Sequence, residues 1–322
     1  MMYKFFLCVL FIGVISCSEK EYDTPEEISN IEMDIEVKRF DKDFFNTDIS
    51  SFDVLKEKYP YFIPRNGANV DSLWTIKKID TLEQELLEES LKVFPDFNEQ
   101  TAELNLLFKH IKYNFPEFET PEVVTSTSMV SYRDKILLQN NILLIAVDTY
   151  LGADHKFYNG IPSYISANLR KEQLISDVAE VYAKKYIQSG NQRSLINQMV
   201  YFGKQLYLKD MFMPFQSEAL RIGYSEPELE WSKANESEIW SYFVEKDLLF
   251  STDTALSGRF IAPAPFSKFY LELDSESPGM LGRYIGWQIV RSFMKKNDVS
   301  LRELITMDGK ELFEKSKYKP EQ

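Results

Sequence analysis

Histidine occurs only at His110 and His155, and cysteine only at Cys8 and Cys17, against 50 acidic side chains. That scarcity limits the chemistry the chain can support. Serine and cysteine nucleophiles need a nearby base, most often imidazole. A three-histidine zinc site is impossible with two histidines, and a site of two histidines and a carboxylate needs both rings to converge. His110 falls on the flank of an amphipathic helical stripe, where a half-buried, hydrogen-bonded ring is expected. His155 lies in the loop Gly152-Ala-Asp-His-Lys, where exposure is expected. There is no GxxxxGK[ST] phosphate loop, no GxGxxG after a strand, no GxSxG elbow and no HExxH. No metal or cofactor is therefore expected. Carboxylate-pair chemistry such as glycoside hydrolysis stays open, because two acids at the right separation suffice. The sequence singles out no pair.

Cys17 has a different chemistry. Lys4 gives a short positive start, and Phe5 to Ile15 is an apolar run of eleven residues. A bilayer-spanning helix needs ~20, so the run suits the hydrophobic region of a secretory signal. It closes on Val14-Ile15-Ser16-Cys17, which resembles the lipobox of bacterial lipoproteins. Residues 1–16 are then expected to leave as signal peptide, taking Cys8 with them. Cys17 becomes the lipidated first residue and the sole thiol, carrying fatty acyl chains of the palmitate type. One chain alone anchors only marginally, at ~0.8 kcal/mol per buried methylene, so several are expected. Ser18 follows the cysteine where some bacteria place an aspartate for inner-membrane retention, which favours the outer membrane.

The elements that must follow the anchor are read from pattern and composition. Formal net charge is −13, so nucleic acid is excluded as a partner and anionic head groups repel the body of the chain. Residues 17–30 (CSEKEYDTPEEISN) are acidic and poor in large apolar groups, which predicts a solvated tether. Hydrophobic content of 44% supports a large core, and residues 31–322 show no flexible connector, so one globular envelope domain is expected.

Ile31, Met33, Ile35 and Val37 alternate with Glu32, Asp34, Glu36 and Lys38, the pattern of a strand with one buried face. Ile79, Leu82, Leu86 and Val93 mark a helix ended by Pro95. Leu104, Leu107, Phe108 and Ile111 mark another over Glu99 to Tyr113. Val123 to Met129 and Ile142 to Val147 read as strands, the second buried on both faces. After Gly160 the stripes turn helical: Leu174, Val178, Val181 and Tyr182, then Ile196, Met199, Val200 and Leu206. Capping boxes are expected at Ser225 with Glu228, Asn235 with Glu238, Ser300 with Glu303 and Asp308 with Glu311. Ser277-Pro278 opens a helix to about Asn297. With a small sheet early and helices late, the fold class is α+β, a mixed α/β chain.

Longer segments carry a resemblance. They are Asp148-Thr-Tyr-Leu-Gly152, Ile161-Pro-Ser-Tyr164, Tyr201-Phe-Gly-Lys-Gln-Leu-Tyr207, Ile239 to Asp253, Arg259 to Tyr270 and Ser277 to Met294. Together they resemble the GldB family, the gliding-motility lipoproteins of the Bacteroidota, over nearly the whole chain. The resemblance implies a noncatalytic, periplasm-facing cell-envelope lipoprotein, acting with other gliding proteins and linked to type IX secretion. It transfers one position, the lipidated Cys17, and no catalytic residue. A weaker likeness runs to zincin-like metallopeptidase families. Their HExxH helix would correspond to Leu174–Tyr186, which has no histidine, so the likeness implies a zincin-like fold without its metal.

Gly282 and Gly286, four apart beside Arg283, Tyr284 and Trp287, allow two readings. One is close helix packing inside the domain. The other is a groove floor on which those three side chains flank a peptide or partner segment. Lys204 beside Gly203, and Lys268 after Ala264-Pro-Phe-Ser, complete the candidate interaction surface; either could instead pair with Glu245 or Asp253. Two functional classes follow: an assembly component that grips other envelope proteins, or an envelope hydrolase or binding module for peptidoglycan, glycan or peptide using a carboxylate pair or aromatic cleft.

Overall fold

The computed structural model describes residues 22–63, 68–272 and 274–320. Cys17 and the signal segment 1–16 lie outside the described residues. Sixteen α-helices and one four-stranded sheet make up the described chain, an α+β architecture with all four strands in its first half.

The strands are β1 (Val37–Arg39), β2 (Glu122–Ser126), β3 (Ile136–Gln139) and β4 (Ile142–Ala146), in the order β1-β2-β4-β3. β1 pairs parallel with β2 and β2 parallel with β4, while β3 closes an antiparallel hairpin on β4. Period-2 alternation divides the side chains between two layers. Val123, Leu143 and Ile145 face a core built with the helices Asn98–Asn114, Leu174–Tyr186 and Leu195–Phe212. Val124, Ile142 and Leu144 face an aromatic cluster of Phe40, Phe44, Phe52, Tyr59 and Trp74. A third core, in the C-terminal half, surrounds the helix Leu281–Lys296.

Several expectations hold in outline and shift in detail. The alternation over 31–38 yields ladder pairing only from Val37, although Ile35 is buried. The stripe from Ile79 belongs to two helices, Val70–Ile79 and Thr81–Val93. Asp80 ends the first and caps the second by accepting from Leu82 and Glu83 amides, and Ile79 is exposed. β2 stops at Ser126, short of Met129. Leu144 is only half-buried, so β4 is not fully covered on both faces.

Ser225–Glu228 and Ser300–Glu303 form both bonds of the capping box. Asp308 caps one way only, and Asn235 ends the preceding helix by donating to the Trp231 carbonyl. The helix expected from Ser277 starts at Leu281. Ser277 is occupied elsewhere, donating to the Ser267 and Asp274 carbonyls, and Met280 enters the helix with φ 58°.

Residues 22–30 do not simply float. Ile28 is buried, Glu27 accepts from the Tyr113 hydroxyl and Lys109 reaches the Ser29 carbonyl, so this segment lies along the Asn98–Asn114 helix. Among the described residues, no helix is long and apolar enough to cross a membrane.

Candidate functional site

The helix Leu174–Tyr186 has two unlike faces. Leu174, Ile175, Val178, Ala179 and Tyr182 are buried against the sheet. Asp177, Glu180, Val181 and Lys184, spaced i, i+3, i+4 and i+7, share the opposite face and line a cleft of about 500 Å³. Lys209 enters that cleft from the helix Leu195–Phe212, Arg283 from Leu281–Lys296, and Arg133 and Lys135 from the loop before β3. Five cations therefore line it against two carboxylates, in a chain whose net charge is −13.

The ion pairs do not consume that excess. Lys135 pairs with Asp177, which also accepts from the Tyr150 hydroxyl at 2.9 Å, and Lys184 pairs with Glu180. Arg283 gives its Nε to the Ile261 carbonyl at 2.7 Å and stacks its guanidinium 4.1 Å over the Phe202 ring. Lys209 is 3% exposed, and among the described residues its ammonium makes no hydrogen bond or ion pair. Burial pushes it down to about 8, against the pull of Glu180 and Asp177 and with Lys184 and Lys135 adding to the push. Burial acts on Glu180 in the opposite sense, but Lys209, Lys184 and Arg283 outweigh it and hold the carboxyl at about 2.

The loop that carries Arg133 and Lys135 is pinned from beneath. The buried Asp148 carboxylate accepts backbone amides from Ser128 and Val130 and the Ser128 hydroxyl, at 2.8–3.0 Å. Val130 sits at φ 57°, a left-handed conformation that a β-branched residue rarely takes. The hydrogen bond that its backbone N–H donates to Asp148 is the compensation visible there.

A second, wider cleft of about 1040 Å³ adjoins the first and shares Tyr164, Asn168, Gly223, Pro263 and Met280 with it. Its lining carries Glu172, Glu226 and Glu228 against one cation, Arg170.

Of the surface expected from sequence, the structure brings only Arg283 to the cleft. Tyr284 and Trp287 are buried, at 1% and 0% exposure. Tyr284 donates to Glu236 at 2.8 Å. The Trp287 indole donates to Asp210 at 2.8 Å, a carboxylate also held by Arg221 and by two bonds from Arg291. Lys204 is buried too and donates to the Met307 carbonyl; burial pushes it down to about 8 while Asp308 pulls it up. Lys268 is exposed, but among the described residues no ion pair links it to Glu245 or Asp253.

The packing reading of the glycines is the one realised. A Cβ on Gly286 would lie 1.9 Å from the Met199 carbonyl oxygen, and one on Gly203 would lie 2.2 Å from the Gly286 oxygen. The two long helices thus cross backbone on backbone. Gly282 instead faces Phe260 and Ile261.

The histidines do not converge on any site. His110 is fully buried rather than half-buried, beside Tyr22 and Phe215, and burial pushes it down to about 4. His155 is partly buried rather than exposed; its Nδ1 accepts from the Phe157 amide. Among the described residues no group of three metal-ligating side chains gathers.

The family model described as gliding motility protein GldB matches residues 21–320, nearly the whole chain. No curated protein and no solved structure matches. The chain belongs to the GldB family, the lipoprotein family of gliding motility proteins.

Proposed function

We propose that this chain is a lipid-anchored, noncatalytic assembly component of the gliding apparatus, linked to type IX secretion. It faces the periplasm from the membrane that holds Cys17, in this reading the outer one. It works by holding a segment of a partner envelope protein in the two-part cleft. The observation that carries this reading is the cleft itself. It opens to solvent, carries surplus cations in its smaller part, and is large enough to admit an extended chain segment.

In the smaller cleft the charge states favour gripping over turnover. A carboxylate-pair hydrolase needs one acid kept protonated near neutral pH. The cleft's Glu180 is held ionised at about 2 instead, and Asp177 is engaged by Lys135 and Tyr150.

Photocrosslinkers placed at Tyr164 and Asn168, on the shared rim, test this in living cells. Capture of gliding or secretion-machinery proteins is expected, with capture lost when Cys17→Ser releases the chain from the membrane. Products released from cell-wall fragments by the purified chain, and abolished by Glu180→Gln, would overturn the reading in favour of a hydrolase.

A further inference from the structure

The Lys209 side chain is almost wholly buried, and its ammonium, which borders the cleft, has no hydrogen-bond or ion-pair partner among the described residues. A buried cation without a bonding partner is costly, and proteins keep such groups where they have work to do. Here the work is defined by geometry. Lys209 points into the 500 Å³ cleft, and the Arg283 guanidinium reaches the same space, with its Nε already engaged by Ile261.

Both carboxylates of the cleft already have an ion-pair partner, Glu180 in Lys184 and Asp177 in Lys135, although Lys209 and Arg283 also feel the Glu180 charge. Of the five cations, that leaves the exposed Arg133 and, beside the two carboxylates, the buried Lys209 ammonium and the free amino groups of the Arg283 guanidinium. We propose that Lys209 and Arg283 form a seat for a single carboxylate, presented by the protein segment that the cleft holds. This deepens the function proposed above and rests on it for the identity of the occupant as protein.

Three observations set the class. A planar carboxylate matches a guanidinium fork, and a charged partner gives Lys209 the hydrogen bonds it lacks. A phosphate dianion fits less well, because Asp177 and Glu180 repel the second charge. The adjoining cleft is acidic at Glu172, Glu226 and Glu228, so it turns a carboxylate away and directs it to the Lys209 end. Binding is accordingly strongest below pH 8 and weakens as Lys209 loses its proton.

The test uses the full-length chain in detergent with small probes: N-acetylglycine, its uncharged counterpart N-acetylglycinamide, and methyl phosphate. Lys209 is followed by competitive acylation and mass spectrometry near pH 8. N-acetylglycine is expected to slow Lys209 acylation about fivefold at saturation, the fall in free amine that a one-unit rise from about 8 produces at pH 8. Lysines outside the cleft should be unaffected, and the amide should do nothing. Arg283→Gln should weaken the protection. Lys209→Met loses no hydrogen bond, so it should fold, and it should lose the stabilisation that N-acetylglycine gives in thermal melts. Equal effects of acid and amide, or protection by methyl phosphate alone, would overturn the proposal. Protection in solution without protein capture in cells would leave the seat standing and sink the assembly role; the reverse would do the opposite.

Discussion

Gly286→Ala puts the packing of the molecule's two longest C-terminal helices to a quantitative test. The new Cβ would sit 1.9 Å from the Met199 oxygen and 2.4 Å from the Met199 carbon, both backbone atoms that cannot rotate away. Ordinary contact begins at 3.4 Å, so Leu281–Lys296 must retreat from Leu195–Phe212 by about 1.5 Å. Overpacking of this kind costs ~1–3 kcal/mol. Retreat also stretches the Trp287–Asp210 bond, now 2.8 Å, and a hydrogen bond to a charged group is worth ~1.5–3 kcal/mol. Replacing a helical glycine by alanine returns ~1 kcal/mol in propensity. The net expectation is a loss of about 3 kcal/mol, measured by urea denaturation with tryptophan fluorescence. Gly258→Ala is the matched control: it is also helical, but its Cβ meets nothing within 4 Å, so it should be neutral or stabilising by up to ~1 kcal/mol. If Gly286→Ala proves as stable as Gly258→Ala, the backbone-on-backbone crossing is wrong.

Other perturbations separate charge from packing. Lys204 and Lys209, both lowered to about 8 by burial, bind fewer protons folded than unfolded between pH 8 and 10. Stability should therefore rise across that window, by up to about 3 kcal/mol per lysine if the whole shift is expressed, and Lys204→Met should flatten the rise. On the Asn98–Asn114 helix two groups oppose each other. Burial, chiefly, raises Glu103 to about 7, so it loses stability as pH climbs from 4.5 to 7. His110, lowered to about 4 by burial, gains stability as pH climbs from 4 to 6.5. Glu103→Gln should unmask the rising slope in pH-dependent melts, and a variant that melts in parallel with wild type would contradict the assignment. Asp210→Asn should cost ~3–5 kcal/mol, because it strips the charge that Arg221 and Arg291 share. Asp148→Ala should cost ~3 kcal/mol by orphaning the Ser128 and Val130 amides. Faster amide exchange should then extend through residues 128–135 and weaken N-acetylglycine protection of Lys209.

Kinship and many of the local elements were legible in the residues alone. Stripes at helical spacing placed Leu104, Leu107, Phe108 and Ile111 inward, and all four are fully buried. The two Ser–Glu capping boxes were legible because the reciprocal bonds span only three residues. The segments from Asp148 to Met294 pointed to the family that the match over residues 21–320 shows. One hairpin was missed although its signal was present: Asn140-Asn141, both at positive φ, turns β3 into β4.

Apart from Arg283, the make-up of the site was set by long-range packing. Tyr284 and Trp287 carry an interface-like composition, yet whether an aromatic on a helix meets solvent depends on which neighbour covers it, and spacing alone does not encode that. Gly286 draws the Leu195–Phe212 helix so close that both aromatics are enclosed. Lys209-Asp210 inside the apolar run from Leu206 to Phe215 was the available hint of buried charge. Their fates diverge because helix geometry points adjacent residues about 100° apart: Asp210 meets two arginines and an indole, and Lys209 opens into the cleft. The convergence of Lys209, Arg283, Glu180 and Lys135 comes from three helices and a loop far apart in the chain. Only the folded packing brings such long-range neighbours together.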